Sequence, residues 1–531
     1  MTGPRFSIVT PVYDPSAEVL QATIDSVLAQ TFSGWELILI DDCSPSPHVK
    51  PLLHAAAAAD KRIVVIERSE NGGISAASAA GLAVARGEFV ALLDHDDEIT
   101  THALEHVDDY IRRFPDMDYC YSDEDLLSED GVRTYPFYKP DWSPERFRAQ
   151  NYCCHFSVFR RSLLVEVGGF RPGFDGAQDY DVILRVTERA RMVVHIPEVL
   201  YHWRQIASST AGDPNSKPYA WDAGRRALQE HCDRVGIAAT VEQQHPRGTY
   251  RLRRQVQGDP LISIVIPTRG SAGRPWGIER AYVVEAINSI RSHTSRRVEF
   301  VVVVDTAAPT HVVEAIGRAA GDGLKLVWYD RPFNFSEKVN IGALHATGDL
   351  LLFLNDDIEV ISEEFLDPMI PLALEPDVGA VGAKLFFEDG RLQHAGHVYN
   401  HAPYHAFFKF AGGDLGPRGL LAVQRECIGV TAACLMTRPQ VFHEVGGFSM
   451  MLPGNYNDVD FNLKLQRAGY RVLVTPYAQL YHFESATRDP TVGDSERQLV
   501  VARWATQLAN DPYYNVNLAP NRDDWVERGA R

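Results

Sequence analysis

Short apolar runs mark the first part of the chain: SIVTPV (7–12), WELILI (35–40), RIVVIE (62–67) and EFVALL (88–93). Each is continuous rather than alternating, which predicts strands buried on both faces. Between them, the stretches from Glu18 to Ala29 and from Ile74 to Ala85 carry apolar residues at helical spacing. Strand alternating with helix predicts an α/β fold with a mainly parallel sheet and helices on both sides.

The pattern then recurs. FSIVTP (6–11) returns as ISIVIP (262–267), and ARGEFVALLDHDDEI (85–99) returns as ATGDLLLFLNDDIEV (346–360). VGGF (167–170), followed by QDYDVILRV, is echoed by VGGF (445–448), followed by NDVDFNLKL. PEVLYHWR (197–204) is echoed by PYAQLYHFE (476–484). Four blocks in one order, about 260 to 280 residues apart, predict a duplicated domain rather than a solenoid. The polar stretch EQQHPRGTYRLRRQVQGDP (242–260) is the expected join, giving domains 1–255 and 256–531.

Composition narrows the classes. The chain has 531 residues, 45% of them hydrophobic and 23% charged, as in a water-soluble globular protein. No apolar run approaches the roughly 18 to 20 residues that cross a bilayer. The N-terminal MTGPRFSIVTPVYDP lacks the layout of a secretory signal. A cytoplasmic protein, with peripheral contact at the inner face of the membrane, is the expectation. The net charge of −18 argues against a nucleic-acid partner. Seven cysteines without a Cys-x-x-Cys pair suggest neither a disulfide framework nor a cysteine zinc site.

The two related strands EFVALL and DLLLFL each run straight into carboxylates: Asp94, Asp96 and Asp97 in the first copy, Asp356 and Asp357 after Asn355 in the second. Such groups repel one another unless a cation or protons compensate. Oxygen-rich surroundings favour a hard ion, Mg²⁺ or Mn²⁺, bridging carboxylates to phosphates. No GxxxxGK[ST] or GxGxxG loop offers another phosphate cradle. In α/β sheets, ligands bind beyond the carboxyl ends of strands, where these acids lie. An apolar strand followed by Asp-x-Asp also opens the haloacid-dehalogenase phosphatases. Asn355 cannot serve as their nucleophile, however, and Glu98 and Glu359 stand where they need Thr or Val.

The full constellation resembles two tandem family 2 glycosyltransferases of GT-A fold. Its marks are a strand ending in proline, the DDCSP acids (Asp41 and Asp42), the Asp-x-Asp motif, the Gly-Gly-Phe segment, the acid in QDYD and the histidine in LYH. The resemblance implies a nucleotide pocket lined by Pro11, Tyr13, Asp42 and Asn71, with Asp94 on ribose or on metal-bound water. It implies Asp96 and His202 as metal ligands and Asp179 as general base. In the second copy it implies Pro267, Thr268, Asp305, Asn340, Asn355 and Asp356 on the donor side, Asp357 and His482 on the metal, and Asp458 as base. Asp181 and Asp460 are expected to be structural, and the glycine pairs to shape the acceptor side.

There are departures. Gln178 replaces a usual Glu, Ala79 stands where Asn340 stands in the second copy, and VVVVDTAAP offers one acid for two, with Thr306 in the place of Asp42. The implied activity is inverting transfer of a sugar from a UDP- or dTDP-sugar to a glycan or lipid-linked acceptor in bacterial surface polysaccharide assembly. One divalent ion would serve each active domain. A chain with one active domain and one acceptor-binding scaffold is the alternative. A sugar-1-phosphate nucleotidyltransferase would need a glycine-rich, basic N-terminal loop, which PVYDPSAE does not supply.

Overall fold

The computed structural model describes residues 3–205, 218–483 and 494–529. The chain divides into two compact units. One comprises residues 1–142, 150–252 and 515–517; the other comprises 143–149, 253–514 and 518–531.

In the first unit, strands β1 (Phe6–Val12), β2 (Trp35–Asp41), β3 (Ile63–Glu67), β4 (Phe89–Leu92), β5 (Glu98–Ile99), β6 (Met117–Leu127), β7 (Arg133–Phe137), β8 (Ser157–Arg160) and β9 (Met192–Arg204) form one sheet. Its order is β3-β2-β1-β4-β8-β6-β9-β5, with β7 beside β6. The β3-β2-β1-β4 half is parallel, as is β6 with β9, whereas β8 and β5 run against their neighbours. The α/β expectation is met. Alternate residues of β1 serve opposite faces. Ile8 joins a core with Leu20, Ile24 and Val27 of helix Ala17–Leu28. Val9 turns toward Gly81 of helix Gly73–Val84. Burial on both sides explains why the strand reads as an unbroken apolar run.

The second unit repeats this order strand for strand. Leu324–Tyr329, Val298–Asp305, Ile262–Thr268 and Leu350–Leu354 are followed by Cys434–Thr437, Val378–Phe386, Arg471–His482 and Ile358–Val360. Neither unit is continuous in sequence. In the second, the Glu426 carboxylate accepts the amides of Glu145 (3.0 Å) and Arg146 (3.4 Å) at the start of helix Pro144–Ala149. In the first, Asn515 donates to Asp123 at 2.9 Å.

A small polar device is duplicated with the strands. Ser7 Oγ donates to Glu36 at 2.6 Å and accepts the Gly87 amide at 2.8 Å. Ser263 does the same with Glu299 (2.5 Å) and Gly348 (2.8 Å). Burial alone would push Glu299 up, but the Lys325 ammonium, the Ser263 hydroxyl and Thr347 hold it down at about 2. A depressed carboxylate contributes stability that is present above its unfolded value and lost as the pH falls through the folded one. Glu299→Gln should therefore cost about 2 kcal/mol at pH 7. The cost should shrink as the pH drops from about 4.5 toward 2. Urea melts of both proteins across that range test this; a pH-independent difference would contradict it.

Candidate active sites

In the first unit three strand ends converge. β1 closes on Pro11, followed by the half-exposed Tyr13; β2 leads into Asp42; β4 leads into Asp94 and Asp96. Burial and the neighbouring Asp96 push the Asp94 carboxyl up. Asp97, the third acid of the cluster, faces inward instead. It is buried and accepts from the Tyr201 hydroxyl (2.5 Å) and the Arg204 amide (2.8 Å), so it anchors the turn.

His202 lies on β9, opposite Asp125 in the β6–β9 register. Its Nδ1 meets the Asp125 carboxylate at 2.6 Å. Its Nε2 is buried without a hydrogen-bond partner. An imidazole oriented by a carboxylate at one nitrogen and unsatisfied at the other is suited to a metal ion. Asp94 and Asp96 crowd each other, and Glu98, two residues beyond Asp96, pairs with His202 in the β5–β9 register; the chemistry of this donor set, carboxylates and one imidazole, fits a divalent cation.

Asp179 stands in the first turn of helix Gln178–Thr187. It accepts from Asn151 Nδ2 at 2.9 Å and from the Tyr180 amide at 2.7 Å. Burial pushes it up, against the Tyr180 amide and the charge of His155. His155 itself is held at about 9: burial opposes its charge, but Glu124, Asp97 and Asp94 outweigh that. Its Nδ1 contacts Glu124 at 3.0 Å, and Lys139, fully buried, donates to the same carboxylate at 3.0 Å. An imidazolium thus faces the acids of the site.

Asp181 pairs instead with Arg171 and Arg185, and Asp460 with Arg503 (2.6 Å) and the Trp504 indole (2.8 Å). Both acids are spent within the scaffold. The glycine pairs end short helices: Gly169 (φ 57°) and Gly447 (φ 60°) return their amides to Leu164 and Phe442, in a conformation side chains rarely adopt.

In the second unit a cleft of about 320 Å³ is lined by Pro267, Thr268, Asn355, Asp356, Asp357, Asp458 and His482, all of them candidates from sequence. His482 Nε2 lies 3.2 Å from the Asp357 carboxylate and 3.0 Å from Asn355 Nδ2. Its Nδ1 meets the Gln393 side chain at 2.7 Å, a carboxamide where the first unit uses Asp125. Asp356 accepts the Thr268 hydroxyl at 2.6 Å; burial and Asp357 raise it to about 7. Asp458 begins helix Asn457–Arg467 and accepts the amides of Val459 (2.8 Å) and Ala432 (3.3 Å).

Strand register corrects one sequence alignment. Val12 pairs with Asp41 in the first unit, and Thr268 with Val304 in the second. Asp305 therefore occupies the position of Asp42, and Thr306 does not. The two acids also share an environment. Asp42 takes the Arg68 guanidinium at 2.6 Å and the Gly73 amide at 2.8 Å; Asp305 takes the Lys338 ammonium at 2.6 Å. Both are engaged by the protein itself, and Asp305 is absent from the cleft wall while Lys338 lines it.

Asn340 also lies off that wall. Its amide is tied at both ends to the Phe448 backbone (2.8 and 2.9 Å), so it secures the Gly-Gly-Phe segment. Asn71 is exposed and accepts the Gly73 amide at 3.1 Å. Sequence reasoning missed Asp125, Gln393, Arg68 and Lys338. Lys338 sits in the mixed helix FSEKVNIGALH, where no motif marks it in advance.

The model of the family described as Glycosyl transferase family 2 matches residues 7–168 and again 263–446. A Sinorhizobium fredii protein named as uncharacterised (y4gI) is 39% identical over 546 residues, covering 100% of this chain and 59% of that protein. The O-antigen biosynthesis protein RfbC of Myxococcus xanthus is 37% identical over 536 residues, covering 98% of this chain and 41% of its own length. The chain thus spans about three fifths and two fifths of these two relatives. With a match in each half, over the strands that carry the acids, the chain belongs to glycosyltransferase family 2 and contains that family's domain twice.

Proposed function

We propose that each unit transfers a sugar from a nucleotide-sugar donor to a hydroxyl of a glycan or lipid-linked acceptor, with inversion, in the assembly of a bacterial surface polysaccharide. The observation that carries this reading is the repeated grouping of acids, imidazole and helix-borne carboxylate beyond the same strand ends in both units. The relation to an O-antigen biosynthesis protein supports the polysaccharide context.

A divalent ion, when bound by Asp96 and His202 or by Asp357 and His482, supplies Lewis-acid stabilisation of the leaving diphosphate. The remaining work belongs to the chain. Asp179 and Asp458 accept the proton of the acceptor hydroxyl; a single carboxylate base with no second nucleophile in the motif fits direct displacement. Asp125 and Gln393 hold their histidines in one orientation. Lys338, held by Asp305, presents its ammonium in the wall of the second cleft.

The scaffold reading of the second unit drew on a missing acid. Asp305 at the position of Asp42 removes that reason and favours two working sites. A screen of nucleotide sugars for release of nucleoside diphosphate, with and without Mn²⁺, tests the reading. Release should fall to background in excess EDTA and return with added Mn²⁺ or Mg²⁺. Full turnover in EDTA would mean that the carboxylates do something else.

A further inference from the structure

The two units differ at one position of the site wall. Val90 pairs with Ser7 and Phe159, and Leu351 pairs with Ser263 and Thr437, so Phe159 and Thr437 are equivalent. Four residues earlier the first unit has His155 and the second has Ala433, which lines the second cleft. The first unit thus sets an imidazole where the second has a methyl group. The second carries its cations elsewhere: Arg269 and Lys338 line its cleft, at the positions of Tyr13 and Ala77 in the first.

The His155 ring is held in one orientation. It lies against Tyr201 (centroids 5.4 Å apart, planes at 12°) and Trp203 (4.4 Å), the residues that flank His202 on β9. Its Nδ1 is taken by Glu124 at 3.0 Å. Among the described residues its Nε2 has no hydrogen-bond partner, and the side chain is 18% exposed, enough for a ligand atom to reach it. Lys139 Nζ shares the Glu124 carboxylate, so one anion serves two cations. The remaining positive charge acts on Asp94, Asp97 and Asp179. Held at about 9 by Glu124 and these neighbours against burial, the ring keeps both protons at pH 7.

The acids it faces bracket the reacting bond. On the transfer reading above, on which this inference rests, Asp94 belongs to the donor side and Asp179 to the acceptor side. The bond from the anomeric carbon to the diphosphate lies between them. We propose that His155 is a catalytic residue of the first site, its Nε2–H donating to the diphosphate oxygen that leaves the sugar. In that step the acceptor oxygen bonds to the anomeric carbon and its proton passes to Asp179. The bond from that carbon to the diphosphate breaks, and its electron pair stays on the diphosphate oxygen. His155 keeps its proton and offsets the new charge. A preorganised donor aimed at developing charge contributes about 10²- to 10³-fold.

The first site is read alone in full-length Asp458→Asn, by following release of nucleoside diphosphate from nucleotide sugars in the presence of Mn²⁺. Adding His155→Ala should lower kcat about 10²-fold or more, while KM for the donor moves little. His155→Gln, which keeps a neutral amide donor, should fall between the two. Melting temperatures identify a variant that has not folded; if His155→Ala has not, His155→Gln decides, and its kcat must still lie below the parent's. The proposal is overturned if the folded variant keeps the parent's kcat. It is equally overturned if the whole loss falls on KM, the mark of uniform binding. If Asp458→Asn itself releases no nucleoside diphosphate from any nucleotide sugar, the transfer reading has failed and this proposal falls with it. Turnover that His155→Ala leaves unchanged would overturn this proposal alone.

Discussion

Asp458→Asn is expected to abolish transfer at the second site while leaving nucleotide binding there largely intact, and Asp179→Asn to do the same at the first. An amide preserves the shape of the side chain and its acceptance of the helix amides, Val459 for one and Tyr180 for the other. It cannot accept a proton. A positioned general base contributes about 10²- to 10⁴-fold, and that is the loss expected at each site. The rate should be read with each acceptor supplied separately, and nucleoside diphosphate binding by calorimetry. If either single change eliminates both transfers, or removes nucleotide binding along with transfer, these carboxylates are not independent bases.

Asp357→Ala is expected to weaken metal-assisted donor binding at the second site by about 100-fold or more, since even outer partners of a metal site cost 10- to 100-fold. The reason lies in how few acids remain there. Asn355 is neutral and donates to His482, and Asp356 is held by the Thr268 hydroxyl. Asp357, 3.2 Å from the same imidazole, is the remaining strong oxygen donor of the motif. Asn355→Ala should weaken binding only modestly. Asn355→Asp should be tolerated, because the first unit carries Asp94 at that position. A crystal soaked with Mn²⁺ and a nucleoside diphosphate decides the matter. An ion missing from the second cleft, or seated there without contact to Asp357 directly or through water, would refute this assignment.

The sequence by itself determined the layers and the duplication. The helix expected from Glu18 to Ala29 is Ala17–Leu28, and the four apolar runs became β1 to β4 within a residue or two. These signals are local: an apolar run without alternation can be buried only on both faces, and helical spacing repeats within a few residues. The acids were legible for the same reason, because they follow the runs directly and do so twice. What the sequence could not decide depends on residues brought together from far apart. Strand register, fixed by backbone hydrogen bonds, made Asp305 rather than Thr306 the partner of Asp42. Arg68 and Lys338 supply the same positive charge from different elements, so no shared motif announces them. Asp125 and Gln393 reach their histidines across 77 and 89 residues. Asn340 reads as a donor contact along the chain but is consumed by the Phe448 backbone in space. His394, His397 and His405 come together because Gly396 turns the chain back and two short strands pair in one register, and neither event is written in the spacing of these histidines alone.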